Sequence, residues 1–96
     1  MSDDFGSPWI DPRDLVGKTA AEIDQAARDR GLIAKGPDPM SGHGSYIDPV
    51  TGEQRILLHS AEGHFHLNNS AGERLDIEGR VVLPEAAAAH LWLRPR

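Results

Sequence analysis

Apolar and polar residues alternate in two short stretches near the middle of the chain, over residues 54–59 and 64–68. Successive side chains of a β-strand point to opposite faces of the sheet, so a period of two residues is typical of strands with one buried face. The pattern therefore predicts two neighbouring strands. Their apolar members, which mark the core side, are Ile56, Leu58, Phe65 and Leu67.

A helix is predicted earlier in the chain. Residues 19–22 (TAAE) fit a capping box, in which the Thr19 hydroxyl and the Glu22 carboxylate each accept the other residue's backbone amide. Ile23 and Ala27 then recur at helical spacing, and Gly31 can adopt the left-handed conformation that ends a helix. About three turns of helix are marginal alone, so this helix must pack on the sheet.

Further short strands are predicted at residues 45–48, 74–77 and 81–83, separated by turns, and a short helix is predicted at 85–90 after Pro84. The fold class predicted is α+β, with an N-terminal helix packed on a four- to five-stranded antiparallel meander. A chain of 96 residues has material for one core. We expect a single domain over 15–96, preceded at 1–14 by a polar lead-in or linker in which Trp9 and Ile10 can still dock.

Composition narrows the functional classes. The chain has no cysteine, which excludes disulfides and thiolate chemistry. Its net charge of −5 argues against loose, charge-driven binding to nucleic acid, although it leaves room for a local cationic pocket. No apolar run is long enough for a membrane helix, and the first residues lack the pattern of a signal peptide. We expect a soluble monomer without membrane contact.

Register places polar residues of the two central strands together. The four-residue loop between them sets His59 opposite His64, Leu57 opposite His66 and Arg55 opposite Asn68. Arg55, His59, His64, His66 and Asn68 would then project from the face opposite the core.

Such a face suits the cleavage of RNA through its own 2′-hydroxyl, which needs a base, an acid and a cation at the phosphate. His64 and His66 are the candidate base and acid, in either order, and Arg55 is the candidate phosphate ligand. His59 and Asn68 would contact substrate. No metal or other cofactor is required.

Two further positions are candidate substrate ligands. Ser45 follows Gly42-x-Gly44, a short motif that can present backbone amides to phosphate but more often forms only a flexible loop. Lys18 precedes the helix cap, near amides that favour anions, but a solvated lysine is the simpler interpretation.

Alternative interpretations use the same residues. The histidines can simply be solvent-exposed side chains without a function. Arg55 can form a salt bridge with Glu53 or Glu73, and an exposed salt bridge contributes under about 1 kcal/mol to stability. His64, His66 and His59 can hold zinc or nickel through three imidazoles. The face can instead recognise a protein partner without catalysis. His90 is expected to be peripheral.

Residues 44–56 (GSYIDPVTGEQRI), 64–68 (HFHLN) and 72–76 (GERLD) resemble C-terminal toxin domains of bacterial polymorphic and contact-dependent inhibition systems. Residues 17–20 with the following helix are similar to their usual opening, and the resemblance covers roughly residues 12–83. Many such domains share the fold typified by barnase, EndoU and the tRNA-cutting colicins, with one or two helices packed on an antiparallel sheet.

The resemblance implies a metal-independent endoribonuclease whose substrate is RNA, with tRNA among the candidates. It also implies secretion as the C-terminal part of a larger bacterial protein, action in the cytoplasm of a target cell, and a cognate immunity protein that covers the histidines. The acidic charge of this chain departs from the basic character of many nuclease toxins.

Overall fold

A computed structural model describes residues 9–38 and 43–95, which form one helix packed on an antiparallel sheet. The predicted α+β class is confirmed. Within these residues the sheet has six strands, five of which lie side by side in chain order, as in a meander. The strands are β1 (Ile33–Asp38), β2 (His43–Ile47), β3 (Gln54–His59), β4 (His64–Asn68), β5 (Arg74–Leu75) and β6 (Leu91–Trp92).

Helix α1 (Ala20–Asp29) begins at the predicted capping box. The amide of Glu22 donates to Thr19 Oγ1 over 3.2 Å, and the amide of Thr19 donates to Glu22 Oε1 over 2.9 Å. That second bond is the main reason why the pKa of Glu22 lies below its ordinary value. The helix is tied to the sheet by Tyr46, whose hydroxyl donates to Asp24 Oδ1 over 2.7 Å.

One face of the sheet and the inner side of the helix enclose the core. The apolar residues predicted for the core side of β3 and β4 are all buried. Core residues with at most 1% of their surface exposed are Ile10, Leu15, Ile23, Ala27, Tyr46, Ile56, Leu58, Phe65, Leu67 and Leu75. No helix in the described part of the chain is long and apolar enough to cross a bilayer.

The beginning of the chain corrects the predicted domain boundary. Ile10 and Pro12 are buried, and residues 12–14 form a short 3-10 helix on the domain. The rings of Trp9 lie against Gly79. The packed domain therefore includes residues 9–14, and of the proposed lead-in only residues 1–8 lie outside the described residues.

The end of the chain also differs from the prediction. Instead of a helix at 85–90, a single 3-10 turn covers Ala87–Ala89, and the chain then extends as β6 beside β4. Instead of a strand at 81–83, Val81 makes one isolated bridge to Leu75. We name residues 84–93 the closing segment. Because β6 pairs with β4 from Leu91 onward, and the carbonyl oxygen of Ala89 lies 2.8 Å from His66 Nδ1, the chain is held in a tertiary contact where the helix was predicted.

Candidate functional site

The predicted register of the two central strands is confirmed. His59 lies opposite His64, and Leu57 lies opposite His66. The three imidazoles are close, with ring centroids 5.0 Å apart for His59 and His64, 4.9 Å for His64 and His66, and 5.2 Å for His59 and His66. We name the side of the sheet that carries these three histidines the histidine face.

An open cleft of about 290 Å³ lies on the histidine face beside His59. Cross-strand pairing puts Lys35 of β1 next to Ser45 of β2, and Ser45 next to Leu57 of β3. Lys35, Ser45 and His59 all line the cleft, so two of the predicted substrate ligands meet there. Lys35 was not among the predicted candidates, because no strand was predicted to include it. Gly42 of the Gly-x-Gly motif lies outside the described residues.

The other half of the histidine face is covered by the closing segment. His66 is only 7% exposed, and its Nδ1 lies 2.8 Å from the carbonyl oxygen of Ala89. His90, expected to be peripheral, stacks edge-on against His64 and His66 at 4.7 and 4.8 Å. Its Nδ1 lies 3.0 Å from the carbonyl oxygen of Ala86. Sequence spacing gave no signal for His90, because only the path of the closing segment brings it there.

Hydrogen bonding and burial affect the protonation of His66 and His64. A carbonyl oxygen only accepts hydrogen bonds, so Nδ1 of His66 carries the proton and its Nε2 carries the lone pair. Burial, with smaller effects from Arg74 and the neighbouring histidines, lowers the pKa of His66 to about 4, so this ring is neutral at pH 7. Burial and the adjacent His59 and His90 also lower the pKa of His64.

Arg55 does not reach the cleft. Its guanidinium, only 1% exposed, donates from Nη1 to Asp48 Oδ2 over 3.0 Å and from Nε to the carbonyl oxygen of Asn68 over 3.1 Å. The alternative of an ion pair is therefore the correct one, with Asp48 as the acid rather than Glu53 or Glu73. This burial removes Arg55 from the candidate phosphate ligands.

A different guanidinium lies beside His66. Arg74 pairs with Asn68 across β4 and β5, on the histidine face, and its Nε and Nη1 are buried without a hydrogen-bond partner among the described residues. Burial lowers the pKa of Arg74. Asn68 is also buried and donates from Nδ2 to the carbonyl oxygen of Gln54 over 2.9 Å, so it braces the sheet. Extending the register by one strand would have identified Arg74.

An exposed aromatic ring flanks the histidines. Trp92 of β6 is paired with His64 and is 55% exposed. Lys18, by contrast, does not line the cleft; its carbonyl oxygen accepts a bond from the amide of Arg94, and its side chain is partly buried.

Comparison of the chain with protein-family models, with curated proteins and with solved structures found no match.

Proposed function

We propose that the chain is a metal-independent endoribonuclease toxin domain with its active site on the histidine face. The observation that carries the proposal is the pair His59 and His64, whose rings lie 5.0 Å apart, with His59 lining a cleft that also contains Lys35. Two adjacent imidazoles and a cation are the groups that 2′-hydroxyl attack on a phosphodiester needs.

Proton transfer in this proposal belongs to His59 and His64. One imidazole takes the proton of the 2′-hydroxyl as its oxygen attacks phosphorus, and the other protonates the 5′-oxygen as the P–O5′ bond breaks. The products are a 2′,3′-cyclic phosphate and a 5′-hydroxyl. The buried His66, neutral and bonded to Ala89, suits a positioning role better than that of the acid.

Substrate would be held from both sides of the imidazole pair. Lys35 is the cation within the cleft, and Arg74, which unlike Arg55 is only partly buried, is the cation beside His66. The exposed ring of Trp92, next to His64, can stack on a nucleobase, a contact worth about 1–3 kcal/mol per base. An unpaired segment, such as a tRNA loop, presents bases in the form that this arrangement requires.

The resemblance of residues 44–56, 64–68 and 72–76 to toxin domains supports the biological setting. We propose that the chain acts in the cytoplasm of a target bacterium after delivery as part of a larger protein. An immunity protein would bind over the cleft and exclude RNA from His59 and Lys35.

The test is cleavage of total RNA and purified tRNA by the full chain in EDTA. His59→Ala and His64→Ala should each lower the rate by about 10²–10⁴-fold, the usual contribution of a general acid or base. A substrate with a single 2′-deoxy residue at the cut site should resist cleavage. Arg80→Ala is the control: its side chain is 75% exposed and does not line the cleft, so this variant should cleave at the wild-type rate.

Cleavage products with 5′-phosphate ends, or equal rates for wild type and both histidine variants, would contradict this proposal. Absence of cleavage together with normal growth of bacteria that express the chain would favour the protein-binding alternative.

A further inference from the structure

Three imidazole nitrogens converge on the histidine face. His59, His64 and His66 each offer one ligand atom, and these atoms all lie within 4.8 Å of one another. In a tetrahedral zinc site with Zn–N distances of about 2.0–2.1 Å, ligand nitrogens are about 3.3–3.4 Å apart. Small side-chain rotations would close that difference, because two of the three rings are only partly buried.

The third ring is already oriented as metal-binding histidines are. Such histidines almost always donate a hydrogen bond from one ring N–H to a carbonyl or carboxylate oxygen. This bond fixes the ring and leaves the lone pair of the other ring nitrogen for the metal. His66 makes that bond to the carbonyl oxygen of Ala89, 2.8 Å away.

The surrounding charges permit a cation at this position. Glu62 Oε1 lies 3.8 Å from His64 Nε2 and would offset part of a metal's charge. Arg74, near His66, acts in the opposite direction. An all-nitrogen set favours zinc, nickel or copper over magnesium and calcium, which prefer oxygen ligands.

We infer that His59, His64 and His66 bind a divalent transition metal of the zinc class, and that metal binding switches the nuclease off. The inference that metal inhibits cleavage rests on the proposed function, because a metal would occupy the lone pairs that His59 and His64 need for proton transfer. The binding half stands on the geometry of the three rings alone.

Binding is tested by calorimetric titration of the full chain, freed of metal with EDTA and then dialysed, with ZnCl₂ and separately with MgCl₂. Zinc should bind at one ion per chain and magnesium should give no signal. His59→Ala and His64→Ala should each weaken zinc binding by about tenfold or more. Both residues are partly exposed, so these variants should fold, which circular dichroism checks.

His90→Ala is the matched control. His90 contacts His64 and His66 but is not one of the three histidines whose ligand atoms converge. The His90→Ala variant should therefore bind zinc with the affinity of the wild type. Co²⁺ provides a second readout, since three imidazoles with one exchangeable ligand give the intense visible bands of tetrahedral cobalt. No saturable zinc binding, or an equal loss in His90→Ala and His64→Ala, would overturn the assignment.

Inhibition is tested by RNA cleavage with and without ZnCl₂. Zinc should abolish cleavage at one equivalent, and EDTA should restore it. Cleavage only in the presence of zinc would overturn the inhibitory role. Absence of cleavage under both conditions would overturn that role together with the proposed nuclease, whereas the calorimetric titration would still decide the metal site.

Discussion

At the scale of single residues, Arg55 and Asp48 form an ion pair that is buried in the sheet. Both carboxylate oxygens of Asp48 accept hydrogen bonds: Oδ2 from Arg55, and Oδ1 from the amides of Val50 and Thr51 at 2.8 and 3.3 Å. A buried charge that loses its partner is strongly destabilising, even where the intact pair contributes little net stability. The pair therefore specifies the geometry of the turn between β2 and β3.

Asp48→Asn should lower the free energy of unfolding by about 3–5 kcal/mol, because it leaves the Arg55 charge buried and unbalanced. Asparagine retains an oxygen that can accept the two turn amides, so the loss reports on the charge. The measurement is urea unfolding followed by tryptophan fluorescence.

Asp76→Asn is a matched control for this substitution. Asp76 Oδ1 also accepts two turn amides, those of Glu78 and Arg80 at 2.9 Å each, but no buried cation faces it among the described residues. Asp76→Asn should therefore lower the free energy of unfolding by less than about 1 kcal/mol. Equal decreases in the free energy of unfolding would show that loss of the Asp48 charge costs no more than loss of an exposed turn carboxylate.

At the scale of elements, the closing segment decides which part of the histidine face is open. Ala89 is completely buried, and its carbonyl oxygen holds His66, whereas the neighbouring Ala88 is exposed. Leu91 and Leu93 anchor the segment in the core. The segment thus acts as a fixed cover over His66, and β1 to β3 remain accessible beside it.

Ala89→Leu should destabilise the chain by about 1–3 kcal/mol, because the added side chain has no space between the closing segment and the sheet. Ala88→Leu, the same change one position earlier, should alter stability by less than about 0.5 kcal/mol. Thermal unfolding of both variants checks the difference. An effect of similar size in both would mean that the closing segment does not pack as described.

At the scale of the whole molecule, the net charge of −5 would limit RNA binding by the proposed nuclease. A chain of this charge repels the phosphate backbone at a distance, so attraction must come from few local cations. On the histidine face these are Lys35 and Arg74. Affinity would then depend more on stacking and on imidazole contacts than on phosphate neutralisation.

RNA binding by the His64→Ala variant, measured by fluorescence anisotropy with a labelled single strand, should therefore depend weakly on salt. Two neutralised phosphates give a slope of log K against log salt of about −1.4, and Lys35→Ala should reduce its size by about 0.7. A slope steeper than about −3 would indicate a broader cationic surface than Lys35 and Arg74.

Much of this protein was determined locally by its sequence. The capping box at Thr19 begins α1, and the period of two residues in β3 and β4 gave both the strands and the pairing of His59 with His64. These features depend on neighbouring residues and on the pleat of a strand, so a linear pattern is sufficient to specify them.

Only the tertiary structure decided what covers the histidine face and which charges meet on it. Arg55 and Lys35 have the same formal charge in the sequence, yet packing buries Arg55 against Asp48 and leaves Lys35 in the cleft. His90 joins His64 and His66 because β6 pairs with β4, a contact between segments far apart in the chain. Alternation shows that a side chain points away from the core, but distant segments determine whether it meets water, and hence which histidines are accessible to a ligand.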